Sequence, residues 1–83
     1  MLADSRLFVA HKEETVGDDT FSMWIHTDKS EKYILVKKNV TAGVTSWTYF
    51  VGEALSQLAF DNAWTNKATP VGGYKEFHEI TLP

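Results

Sequence analysis

Val44–Trp64, VTSWTYFVGEALSQLAFDNAW, is the stretch where the side-chain pattern changes period. From Val44 to Val51 the residue types alternate, as a strand half covered on each side requires, and from Glu53 onward the apolar residues return every three or four positions. Gly52 stands at the change and is read as the hinge between a strand and a helix. The pattern predicts a helix over Glu53–Trp64 with an apolar stripe of Ala54, Leu55, Leu58 and Ala59, its alanines small enough for close approach to a sheet.

Working back from that stretch, Thr41-Ala42-Gly43 fits a three-residue hairpin loop with Gly43 in the left-handed position, which would set Val40 opposite Val44. Counting outward then sets Leu35 opposite Tyr49 and Ile34 opposite Phe50 along Lys32–Val40, KYILVKKNV, a run rich in β-branched and aromatic residues. Thr20–Thr27, TFSMWIHT, alternates as a further strand, and the charged turn Asp28–Glu31 is read as pairing Thr27 with Lys32. Arg6–Lys12 is read as the first strand, and Glu13–Asp19, acidic and containing a glycine, as a loop. After the helix, TNKATPVGG over Thr65–Gly73 is a breaker, and Tyr74–Leu82 reads as a last strand.

The predicted order is β-β-β-β-α-β: an α+β fold with a mainly antiparallel sheet of four or five strands packed on one helix, over a single domain spanning residues 1–83. Curling of the first and last strands into a half-barrel is the variant that would bury both sheet faces. The registers above divide the sheet. One face carries Phe21, Met23, Ile25, Ile34, Val36 and Phe50 for the helix. The other carries Trp24, His26, Tyr33, Leu35, Lys37, Trp47, Tyr49 and Val51.

Composition bounds the function. Eighty-three residues allow one thin core, 13% aromatic content gives that core unusual bulk, and the absence of cysteine leaves no disulfide to reinforce it. Self-association is one way such a chain gains stability. The net charge of −3 provides no basic field for phosphate backbones. No basic segment followed by an apolar core opens the chain and no run of 18 apolar residues occurs, so the expectation is a cytoplasmic, unprocessed protein without a membrane partner.

Catalytic and ligating patterns are weak. His11, His26 and His78 fall on three different predicted strands without ligand spacing, the carboxylates of Glu13, Glu14, Asp18 and Asp19 read as solvated loop residues, and no serine lies in a nucleophile elbow. Gly72-Gly73 precedes a strand rather than a helix and does not make a phosphate loop. The expectation is a non-enzymatic chain that holds neither metal nor cofactor.

Aromatic residues beyond the needs of the core point instead to partner binding. Trp24, Tyr33, Lys37, Trp47 and Tyr49 would form one sheet face without a cover, and Phe60 and Trp64 would stand one turn apart on the back of the helix unless the Thr65–Gly73 loop folds over them. The expected function is a small protein-interaction module, binding another protein or a second copy of itself. Virus- and mobile-element-encoded modulators or inhibitors of larger host proteins are often chains of this kind. Single-stranded nucleic acid stacked on the same aromatics, with phosphates met by Lys32, Lys37 and Lys38, is the alternative that the charge disfavours. A small ligand inside a barrel-like sheet, anchored by His26, is a further alternative.

Overall fold

The computed structural model describes residues 8–80. Four strands, β1 (Phe8–Val16), β2 (Asp19–His26), β3 (Lys32–Thr41) and β4 (Val44–Glu53), form one antiparallel sheet in the order β1-β2-β3-β4. They are followed by α1 (Gln57–Thr65) and a 3₁₀ turn, Phe77–Glu79. The fold is α+β, as the period change within Val44–Trp64 implies, and among the described residues the sheet does not close into a barrel.

The first strand runs further than its composition suggests. Glu13–Val16 belongs to β1 rather than to a loop, and the hairpin turns over Gly17-Asp18 with Val16 paired to Asp19. An edge strand tolerates such charge because its side chains reach neighbours: Lys12 lies 3.8 Å from Asp61 and Glu14 lies 2.6 Å from Lys67. His11 is the extra residue of a bulge between Ala10 and Lys12. Arg6 and Leu7, at the start of the expected strand, lie outside the described residues.

Both central registers differ from expectation by one residue. The β3–β4 turn contains only Ala42 and Gly43, with φ of 52° and 78°, so Thr41 rather than Val40 pairs with Val44. Two consecutive positive φ values make the tight turn whose twist matches the flanking strands. At the other end of β3, Ile25 pairs with Tyr33 and Met23 with Leu35, where Ile34 and Val36 are the expected partners. The two slips compensate across the sheet. β2 and β4 keep their predicted faces, while β3 alone turns over.

One face consequently joins Met23, Tyr33 and Leu35 with Ala54, and Ile25, Phe50, Ala59, Phe60, Ala63 and Trp64 pack against them. The opposite face joins Phe8, Ile34, Val36 and Tyr49, with Trp24, Val51 and Ile80 against them. Ile34 and Val36 are therefore on the far side from the helix, and Tyr33, Leu35 and Lys37 are beneath it.

The helix is shorter than its apolar period suggests and is rotated. Ser56 is its N-cap, its hydroxyl accepting from the Ala59 N–H at 3.1 Å, so Ala54 and Leu55 precede the helix and Glu53 closes β4 opposite Lys32. Within Gln57–Thr65 the stripe that meets the sheet is Ala59, Phe60, Ala63 and Trp64. Two aromatic rings bury more apolar area than Leu58 can, and the alanines between them let the helix approach. Leu55 and Leu58 face solvent at 81% and 69% exposure, the reverse of their expected roles.

The predicted last strand is reduced to a single antiparallel bridge, in which Tyr49 and Lys75 exchange backbone hydrogen bonds of 2.8 Å. The chain then leaves the β4 edge through the 3₁₀ turn. Its end is fixed locally by a reciprocal arrangement in which the Glu79 carboxylate accepts from the Glu76 N–H at 3.0 Å. Thr81 and Leu82, at the end of that expected strand, lie outside the described residues.

Candidate functional site

The seven residues expected to form a binding surface are divided between two faces. Tyr33 lies under the helix at 6% exposure, its ring 5.9 Å from Phe60 and 6.3 Å from Phe50. Lys37, on the same face, stands over the Tyr74 ring at 5.6 Å. Phe60 and Trp64 are the helix residues that pack onto the sheet, so they hold the fold together rather than standing free on its back.

On the far face, Tyr49 is 5% exposed and meets the Phe77 ring edge-on at 5.4 Å, while Ile80 packs beside it. The C-terminal segment therefore covers part of the face that the sequence left bare. Trp24 is half-buried, its indole N–H donating to the Ser22 hydroxyl at 3.0 Å. Trp47 alone among the seven remains broadly open, at 40% exposure, with the Lys38 ammonium 5.4 Å from its ring. Four aromatics on one exposed platform, which stacking of successive bases requires, are not present.

The post-helix loop is tied to the sheet by Lys67. Its ammonium pairs with Glu14 of β1, stands 4.6 Å from the Trp64 ring and 5.9 Å from Phe21, and reaches the Trp64 carbonyl at 3.4 Å. The Tyr74 hydroxyl donates to the Lys67 carbonyl, which closes the loop over Phe21. Burial pushes the Tyr74 phenol above the ordinary tyrosine value, with Asp19 and Tyr33 adding to the shift. Tyr33 and Tyr49 shift the same way, chiefly by desolvation.

A surface that the sequence reading missed lies beside β1. A groove of about 360 Å³ runs between the start of β1 and the first turn of α1, with Val9, Ala10, Ile25 and Phe60 as its apolar lining and His11, Ser30 and Gln57 as polar members. It adjoins a second depression of about 260 Å³ that shares Ser30, Gln57 and Phe60 and adds Ala54 and Leu55. Val9 is 57% exposed beside it. The groove exists because the helix turns Phe60 inward and leaves Leu55 outside the cap. The available signal was Ser56: a serine three residues before the Ala59 N–H marks the helix start and fixes which residues can share its inner stripe.

Among the described residues no three or more histidine and carboxylate side chains form a metal-type group, and His11, His26 and His78 lie in a bulge, at a strand end and in the 3₁₀ turn. No described helix is long and apolar enough to cross a membrane. Compared with known proteins, the chain matches no family model, and no curated protein or solved structure is significantly similar to it.

Proposed function

We propose that this chain is a small non-enzymatic protein-interaction module whose docking surface is the groove between β1 and α1, extended by Leu55. The observation that carries this reading is the exposure of Leu55 beside an apolar groove of about 360 Å³ walled by Val9, Ile25 and Phe60. Apolar side chains gathered at a concavity gain free energy only when something covers them.

Another protein suits the surface better than edge-to-edge pairing of two copies. Two-fold antiparallel pairing of β1 centred on Lys12, Glu13 or Glu14 sets that charged residue against itself, and like charges directly opposite are destabilising. The His11 bulge further breaks the ladder that such pairing would need. Modulation or inhibition of a larger partner, of the kind small virus- and mobile-element-encoded chains carry out, follows as the mode of action, within the cytoplasm.

The test compares partner retention by the immobilised wild-type chain, Leu55→Asp and Trp47→Ser, with circular dichroism to confirm that each is folded. A partner held by wild type and by Trp47→Ser but released by Leu55→Asp supports the reading. A partner held equally by Leu55→Asp, or lost with Trp47→Ser alone, overturns it.

A further inference from the structure

His26, the one buried histidine among the described residues, is used by the fold as an acceptor. Its ring is 5% exposed and stands edge-on to Phe8 at a centroid distance of 5.2 Å. Its Nδ1 accepts two backbone hydrogen bonds, from the N–H of Asp28 and the N–H of Lys29, each at 3.0 Å. Both donors are main-chain groups, so the nitrogen between them carries no proton. Rotating the ring by half a turn would set a carbon against the same two donors, so no second orientation replaces the contact.

These two bonds shape the turn that links β2 to β3. Within it the Lys32 N–H bonds the Lys29 carbonyl at 2.8 Å, and the Glu31 carbonyl accepts from the Ala54 N–H at 2.7 Å, which pins the approach to the helix. Ser30 and Glu31 of the same turn line the depressions beside Leu55.

We propose that His26 is a proton-operated latch on the Thr27–Glu31 turn: unprotonated at Nδ1 it holds the turn against Ala54, and protonated it releases the turn and reshapes that end of the groove. An imidazolium has two N–H donors and no acceptor, so Nδ1–H would face two further donors in a site closed to water.

The charged groups around the ring are few. β1 contributes the uncharged Phe8. Lys32 of β3 and Glu53 of β4, paired across the strands next to the turn, engage each other at 2.7 Å. The turn itself contributes Asp28, Lys29 and Glu31. The latch needs only the turn geometry. Its consequence for a partner rests on the groove reading, and the test below reads the turn alone.

The experiment is an NMR titration of the wild-type chain from about pH 7.5 to about pH 5, following the His26 ring nitrogens, the amides of Asp28 and Lys29, and the exchange protection factor of the Ala54 amide. Near pH 7.5 the ring should show an unprotonated Nδ1. On acidification the two turn amides should move in step with the ring, and Ala54 protection should fall by about tenfold or more while that of Leu35 is retained. His26→Asn supplies an acceptor oxygen at the same place that does not titrate, and should abolish the coupled change. A protonated Nδ1 near neutrality, turn amides indifferent to the ring, loss of Leu35 protection together with Ala54, or an unchanged titration in His26→Asn would each overturn the latch.

Discussion

The ring of Tyr33 fills the space above Gly52, its directly paired residue on the next strand, so that a β-carbon at Gly52 would collide with the ring's Cζ and hydroxyl oxygen and stand 2.8 Å from Cε1. Gly52 is therefore inside β4 rather than a hinge, and what it supplies is absence of a side chain. The vacant position lets Tyr33 lie between Phe50 and Phe60 beneath the helix. Gly52→Ala should cost about 2–3 kcal/mol in guanidinium denaturation, the size expected of overpacking against a buried ring. Combined with Tyr33→Leu, the same alanine should cost much less than it does alone. Additive losses would show that ring and glycine are independent.

The β3–β4 turn offers the converse change. Ala42 holds a positive φ of 52°, which a side chain other than Asn, Asp or Gly adopts at a cost. Ala42→Asn produces the Asn-Gly pair that such turns favour and should stabilise the chain by about 0.5–1 kcal/mol. No gain in denaturation midpoint would contradict the two-residue turn, and with it the observed register.

How much of this was legible depended on where the sequence carries a distinct signal. The alternation of Thr20–Thr27 and Lys32–Val40 placed two strands within a residue or so of β2 and β3, and the order of strands and helix followed. Register was not legible, because Thr41-Ala42-Gly43 suits a three-residue loop as well as a two-residue one and alanine does not announce a positive φ. One residue at each end of β3 decided which side Tyr33, Leu35 and Lys37 face. The candidate site followed the same fate: a face of Trp24, Tyr33, Lys37, Trp47 and Tyr49 requires the slipped register, and the groove beside Leu55 requires the helix to begin after Ser56. The last strand failed for a local reason, since Glu76 and Glu79 close a 3₁₀ turn on themselves.

Lys67 joins the loop after α1 to β1 and to two aromatic rings, with its side chain only 13% exposed. Lys67→Met keeps the apolar stem and loses the charge, and should cost about 1–3 kcal/mol because Glu14 and the Trp64 ring both lose their partner. Glu14→Gln should cost less, since Glu14 is half in solvent. Equal losses for the two variants would show that the rings contribute nothing.

Three tyrosines have phenols raised by burial, Tyr74 most of all. A group raised in the folded state above its unfolded value contributes stability that is complete below the unfolded value and is lost as pH climbs through the folded one. The unfolding free energy should therefore hold level to about pH 10 and fall above it. Tyr74→Phe loses the bond to the Lys67 carbonyl, about 1 kcal/mol at neutral pH, and should show a shallower alkaline decline. An alkaline decline as steep as that of wild type would contradict the assignment.

The three tryptophans should separate by accessibility and by consequence. Iodide should quench Trp47 most, and Trp47→Ser should change stability by less than about 1 kcal/mol. Trp64→Ser should cost about 3 kcal/mol or more, since its ring packs the helix onto the sheet. A reversed ranking would return the helix to the orientation in which Leu58 faces inward.

The central claim is that the apolar binding surface lies between β1 and α1 and not on the aromatic sheet face. It is tested most directly by titrating the ¹⁵N-labelled chain with the apolar dye 1-anilinonaphthalene-8-sulfonate and mapping the shifted resonances. The account predicts saturable shifts at Val9, Ala10, Ile25, Ser30, Gln57 and Phe60. Shifts centred on Trp24, Trp47 and Tyr49, with the β1–α1 groove unmoved, would contradict it.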